Sequence, residues 1–559
     1  GRPNPESGNR EHSLRIDTPE GPTGRHGICQ GGIPVREDHD YDGSIWIKTS
    51  GYKGSVRITL ESEIEGREPY AEAVLEDVHG DWTAYRFRLH ARALDPLARL
   101  AIVVCGRGRL WLDQVSLMPA DALGGVRRDV FQRICALKPA FIRWPGGNVA
   151  QDYHWRWGVG PRDSRTVWTN LSWKNEPEPS DFGTDEYLRF CQNLGARPTI
   201  VVNIEGRGAT VDEAAAWVEY CNGPAASRSG ALRAANGHPE PYKVHYWELG
   251  NEIWGSWVRG HSDAQTYARN YLRYQAAMRA VDPSIELIAC GDNDMNWNRT
   301  VLQEAGASIN LLSIHHYYSA GQMAGDRLNM MAHPLFYQRF YRQVGKAIHE
   351  LAPSRPIKLV INEWGLFMPA EQVYSIDAAL YAGRMMNVFE RTADLVAMTA
   401  VSDLVNGWTG GVIQASRHGV FVTPIYLVNK LYNEHLGKYR LAIDVRGPVF
   451  DSSREGKSVA FLDATASRSA DGEHLYIKAV NTDKNQAMTT LVTVKGASVG
   501  SRARVETVQG TRPGAYNHFA TPEAVTTRPS QVEAGQRFVV DLPPASVSVI
   551  DLDLSLQSR

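Results

Sequence analysis

Between residues 44 and 118 apolar and polar positions alternate in short runs. Ser44-Ile45-Trp46-Ile47-Lys48, Val56-Arg57-Ile58-Thr59-Leu60 and the stretch 82–89 each put every second side chain on one face, with Gly-rich or charged turns between them. Period two marks half-buried strands, and several in succession predict an antiparallel sandwich. The run 110–117 closes this region before Pro119. From about 120 to 435 the period lengthens. Residues 126–137 are amphipathic and lead into Ala140-Phe141-Ile142-Arg143-Trp144. Residues 184–194 place Tyr187, Leu188, Cys191 and Leu194 on one helical face, with Gly195 as the cap, and lead into 198–203. Ser262 caps a longer helix that stops before Pro283 and feeds Glu286-Leu287-Ile288-Ala289. Helix followed by apolar strand, repeated, predicts a parallel sheet. After 436 alternation returns at 474–480, 538–540 and 546–552, which predicts a second sandwich.

Apolar strands ending in polar residues fall near 142, 201, 247, 288, 313, 360 and 400. A closed barrel needs eight. The simplest completion puts the first strand upstream of residue 1, with the sandwich inserted after it. An open doubly wound sheet is the alternative, but it usually carries a Gly-rich phosphate loop, and none is seen. The expectation is a (β/α)8 TIM barrel (120–435) between a jelly-roll-like β-sandwich (1–119) and a C-terminal β-sandwich (436–559).

Composition changes this picture little. Hydrophobic residues make up 43% of the chain, enough for several cores, and the net charge of −2 argues against nucleic acid or a membrane surface as partner. No run of 18 apolar residues offers a membrane span. Six scattered cysteines form no CxxC or Cys/His cluster, which argues against a metal site built on thiolates. Sequons occur at Asn170 and Asn298. The chain opens on Gly with no visible leader, which leaves secreted and cytoplasmic locations both open.

In a parallel barrel the chemistry sits where strands end. Two ends place a glutamate directly after an asparagine: Asn251-Glu252 and Asn362-Glu363. Strands on opposite sides of a barrel aim their ends at one central pocket. Hydrolysis of a glycosidic bond needs one carboxylic acid to protonate the leaving oxygen and one carboxylate to attack or to activate water. Two adjacent negative charges also push their pKa values apart. A lone glutamate is usually a loop or salt-bridge residue, but two, each on a convergent polar strand end, point to glycosidase chemistry.

The ordered motifs RWPGGN (143–148), WELGNE (247–252), SIHHYY (313–318) and INEWG (361–365), with GPRD and DFGTDEY between the first two, resemble glycoside hydrolase family 51, the α-L-arabinofuranosidase family. The resemblance covers nearly the whole chain. It implies a retaining exo-enzyme that releases terminal α-L-arabinofuranosyl residues from arabinan, arabinoxylan or a related furanoside, and it implies no metal or cofactor. By position, Glu252 is then acid/base and Glu363 nucleophile. Asn251 holds the sugar 2-hydroxyl, Asn148 binds sugar, Arg143 contacts the nucleophile, and His315, Tyr317 and Trp364 line the pocket. His316 faces away along its strand. Two departures stand out. The family's sugar-contacting glutamate at the end of barrel strand one lies before this chain begins. Asp403 replaces a glutamine that touches the furanose ring, and it either alters sugar preference or pairs with an arginine as a buried ion. The alternatives are a β-D-galactofuranosidase, an endo-β-1,4-glucanase, or a non-catalytic carbohydrate-binding protein. A homo-oligomer, or association with a segment carrying the missing strand, is left open.

Overall fold

The computed structural model describes residues 12–21, 24–64, 66–319 and 326–555. Strands β1 (Leu14–Thr18), β2 (His26–Val35), β3 (His39–Glu61), β4 (Ala71–Leu75), β5 (Thr83–Ala91) and β6 (Asp95–Pro119) pair antiparallel in one sheet. The runs around Ile45 and Ile58, read from the sequence as separate strands, are one strand, β3. Its first half pairs with β5 and its second half with β4, while β6 runs beside both. The pairing of β3 and β6 shifts register between Ser50 and Lys53, where the strands touch through glycines. A Cβ on Gly54 would lie 2.4 Å from the Gly106 Cα, so no other residue fits there. The bend turns one long ribbon into two layers around Ile45, Ile47, Val56, Ile58, Leu89, Ile102 and Leu112.

Seven parallel strands follow: β7 (Phe141–Trp144), then β10 (Arg197–Val202), β11 (Tyr246–Leu249), β12 (Glu286–Cys290), β13 (Leu311–Ser319), β14 (Lys358–Phe367) and β15 (Val396–Val401). A short hairpin, β8 (Trp168–Asn170) and β9 (Glu176–Glu178), lies between the first two. They neighbour one another in strict chain order and build a nearly closed TIM barrel, matching the seven strands expected. The seam between β15 and β7 is bridged by helices. In the last barrel helix, Pro424–Glu434, Tyr426 donates to the carbonyl of Arg133 (2.7 Å) and Asn433 to that of Leu137 (2.7 Å), at the end of helix Arg128–Ala136. Helix Thr184–Leu194 ends on left-handed Gly195 as expected. Asp263, not Ser262, caps helix Ala264–Val281: the carboxylate accepts from the Thr266 amide at 2.8 Å, whereas the Ser262 hydroxyl turns to the Asp263 carbonyl.

The C-terminal sheets pack on helix Ile376–Arg391. Arg384 reaches the Ala460 carbonyl (3.0 Å), and the buried Lys478 pairs with Glu390. Both sequon asparagines are buried, Asn170 at 4% and Asn298 at 0% exposure, so neither offers a glycan acceptor in the folded protein.

Candidate active site

Alternation along a strand decides which side chains enter the barrel. On β7, Arg143 points inward, and its planar guanidinium spreads over three partners. Nε and Nη2 donate to the two oxygens of Glu248 (2.6 and 2.9 Å), Nη1 donates to Glu363 Oε1 (2.8 Å), and Nη2 also reaches Asn251 Oδ1 (2.7 Å). Glu248 lies in the middle of β11 with no solvent exposure. It takes a further hydrogen bond from Asn362 Nδ2 at 2.7 Å. A buried carboxylate is tolerated only when paired and hydrogen-bonded, and Glu248 is both.

Glu363, on β14, is held at both oxygens. Arg143 binds Oε1, and the Tyr317 hydroxyl donates to Oε2 at 2.6 Å. The backbone of Gly147 lies against it as well: a Cβ there would stand 2.9 Å from Oε1, which explains the glycine in the Pro-Gly-Gly-Asn turn. Burial opposes ionisation of Glu363, but His315, Arg143 and the Tyr317 hydroxyl outweigh it, and the pKa falls below the ordinary carboxylate value. Tyr317 itself is pushed well above its usual pKa by burial and by Glu363, so it stays a neutral donor.

Glu252 sits beyond the end of β11, at φ 47°. That left-handed backbone costs a non-glycine residue about 1–2 kcal/mol, and such costs cluster at functional sites. His315 Nδ1 lies 3.1 Å from Glu252 Oε1 and 3.8 Å from Glu363 Oε2, so one imidazole spans the two carboxylates. Burial lowers the histidine's pKa, but Glu363 and Glu252 more than restore it. Facing atoms of Glu252, His315 and Glu363 all lie within 4.8 Å of one another. Three such groups could in principle ligate a cation, but Arg143 already places positive charge on Glu363. The exposed Trp257 donates from Nε1 toward Glu252 Oε2 at 3.4 Å. Asn251 donates to Asn148 Oδ1 at 2.9 Å, which joins the two candidate sugar-binding amides.

Eight of the nine expected site residues converge here; Trp364 does not. It follows the inward Glu363 by one residue, so its side chain points out of the barrel, fully buried and edge-on to Phe389. That corrects its expected place in the pocket. His316 faces outward as expected, stacked on Tyr337 with Nε2 2.6 Å from the Tyr341 hydroxyl. Asp403 has no arginine partner among the described residues. It accepts from Ser402 Oγ (2.8 Å), and its pKa is pushed up to about 6, by burial first and then by Glu363, against Ser402, Arg143 and Trp408. Sequence reasoning passed over Glu248. Its signal was available: an acidic residue inside a buried four-residue strand, Tyr246-Trp247-Glu248-Leu249.

This geometry has counterparts among known proteins. The family description of the alpha-L-arabinofuranosidase 1 domain matches residues 133–334, and that of the alpha-L-arabinofuranosidase C-terminal domain matches residues 362–546. An intracellular exo-alpha-L-arabinofuranosidase of Bacteroides ovatus is 29% identical over 479 residues, 80% of this chain and 90% of that protein. The solved structure of the thermostable GH51 alpha-L-arabinofuranosidase from Thermotoga petrophila is 32% identical, with a TM-score of 0.72 over 78% of this chain and 92% of that one. The arabinose-bound MgGH51 α-L-arabinofuranosidase superposes over 99% of this chain and 89% of its own, with a TM-score of 0.80. At 21% identity that likeness shows the fold alone.

Proposed function

The chain belongs to glycoside hydrolase family 51, and from that premise we propose that Glu363 is the nucleophile and Glu252 the acid/base of its reaction. The enzyme is a retaining, exo-acting α-L-arabinofuranosidase whose substrate is a carbohydrate. Glu363, kept ionised by Arg143 and Tyr317, attacks the anomeric carbon while Glu252 protonates the departing oxygen. A water deprotonated by Glu252 then releases the sugar with its configuration retained. His315, between the carboxylates, holds the acid/base in place as its proton comes and goes. Asn251 and Asn148, oriented by each other and by Arg143, take sugar hydroxyls, and Asn251 is assigned the 2-hydroxyl.

The separation of the two carboxylates carries this reading. Nearest oxygens within 4.8 Å favour the roughly 5–5.5 Å carboxyl separation of retaining enzymes over the roughly 6.5–9.5 Å of inverting ones. The division into 1–119, 120–435 and 436–559, with catalysis confined to the middle segment and a structural role for the N-terminal sandwich, belongs to the same proposal. So does a homo-oligomer, or association with a segment carrying the missing first barrel strand, either of which sedimentation of the intact protein reads as added mass. The enzymatic test uses an aryl α-L-arabinofuranoside, the matching β-D-galactofuranoside and a soluble cellulose derivative. Nitrophenol release from the first, well above the other two, is expected. Inertness toward the first sinks the reading.

A further inference from the structure

A cavity of about 750 Å³ opens on the rim of the barrel, apart from the two catalytic glutamates. Its walls come from the loops that follow β7 and β10, from the β8 hairpin, and from helices Val211–Asn222 and Arg228–Ala235. The Asn148–Gln151 turn runs on to His154 and Trp157 in the cavity wall. Beside Trp157, Trp168 and Thr169 lead on to Ser172, whose hydroxyl faces Asp152 Oδ2 closely and lies 3.2 Å from the Asn148 carbonyl. The cavity therefore adjoins a candidate sugar-binding residue through two short connections.

Its lining is cationic and aromatic together. Arg156, Arg207 and Arg228 reach it, and none is ion-paired among the described residues. Asp212 and Glu213 are the acidic members, and Glu213 is taken by His154 Nδ1 at 2.9 Å. Burial opposes protonation of His154 but Glu213 raises its pKa, so the two form a pair close to neutral and the arginines set the sign of the lining. Arg207 is exposed, held at a left-handed φ of 49° by its loop, and it donates through Nη1 to the Thr169 carbonyl at 2.9 Å. Its guanidinium stands 5.2 Å from the ring centre of Trp157 and 5.9 Å from that of Trp168. The two indoles and the Thr169 carbonyl hold the guanidinium in place, and no described residue takes its Nε or Nη2, which leaves that edge for a carboxylate. Trp157 is only half-buried, so part of its ring remains on the wall as a face for a sugar.

We propose that this cavity is a subsite for a uronic-acid unit of the polysaccharide, with the uronate carboxylate on Arg207 and its ring against Trp157. The enzyme then favours arabinosylated polymers that also carry acidic sugars. This deepens the reading of the chain as an arabinofuranosidase and rests on it.

The probe is an arabinoxylo-oligosaccharide bearing one glucuronosyl branch, compared with the same molecule after chemical reduction of its carboxyl group. Binding is measured with full-length Glu363→Gln protein, so that no hydrolysis intervenes. The acidic form is expected to bind about 5–10-fold tighter, with the preference shrinking as salt rises. Arg207→Gln should reduce the preference to about twofold or less, and Arg156→Gln should reduce it partially. In the otherwise wild-type enzyme, Arg207→Gln should leave aryl arabinofuranoside turnover within about twofold. Equal binding of the two oligosaccharides, a preference that survives Arg207→Gln, or equal displacement by inorganic phosphate overturns the uronate subsite. None of those results touches the catalytic assignment, which fails separately if the wild-type enzyme does not turn over the aryl substrate.

Discussion

The dipeptide Asn-Glu occurs twice, within β14 and just past β11, yet the tertiary structure treats the two glutamates differently. Glu363 remains inside its strand and is gripped at both oxygens by Arg143 and Tyr317, from β7 and β13. Glu252 lies past its strand on a left-handed residue, with His315 on one oxygen and the exposed Trp257 on the other. No arginine or lysine pairs with Glu252 among the described residues. The contrast follows the chemistry. A nucleophile has to be charged and fixed before substrate arrives. An acid/base has to lose and regain a proton at the edge of the leaving group, where a permanent cation would hold it ionised.

The sharpest way to break the comparison is to remove each carboxylate. Glu363→Ala should lower kcat by about 10⁵-fold on every substrate, since no intermediate forms without it. Glu252→Ala should cost about 10³-fold on an arabinosylated oligosaccharide, whose leaving group needs a proton. On a dinitrophenyl arabinofuranoside the first step should survive, and added azide should restore turnover. Equal losses on both substrates would remove the distinction between the two glutamates.

Arg143→Met tests whether the grip on Glu363 also serves Glu248. Leaving that buried carboxylate unpaired should cost about 3–5 kcal/mol in denaturant unfolding. In whatever protein folds, the acidic limb of kcat/KM should move to higher pH, because Glu363 loses a partner that lowers its pKa. A small stability change with an unmoved acid limb would show that Arg143 merely fills space.

The smallest expected effect is at Asp403, the third carboxylate of the pocket. Its pKa in the folded protein, about 6, is raised above its ordinary 3.8. The neutral form is therefore the one that folding favours. The stability this supplies is complete below about pH 4 and lost as pH rises through 6. Asp403→Asn should flatten the decline, by about 2 kcal/mol between pH 4 and 7 in urea unfolding, the two-unit shift being discounted for residual solvent contact. Parallel pH curves for the two proteins would place Asp403 in a more hydrated setting than the structure gives it.

Much of this molecule follows from local pattern. Period-two and helical runs located all seven barrel strands, because an apolar strand between amphipathic helices has a local signature. Strand-end position and residue type also singled out Glu252 and Glu363. Facing was harder to read. The β13–β14 pairing shifts register between Ser313 and His315, and β14 shifts again against β15 between Ile361 and Trp364. One-residue shifts of this kind decide which neighbour enters the barrel, so Trp364 looked like a pocket wall and is core. The Asp263 cap was misjudged by one residue for a similar reason, since two adjacent side chains could both accept and only the chain's path selects one.

What the sequence determined by itself was the order of the elements and the chemical types at their ends, because both are set by neighbours along the chain. Only the tertiary structure decided that Arg143 forks between Glu248 and Glu363, that His315 spans both catalytic carboxylates, that Asp403 makes no ion pair among the described residues, and that Arg207 lies over two indoles. Each of those joins residues from different strands or loops. Their distances depend on how the barrel closes, and no local pattern encodes that.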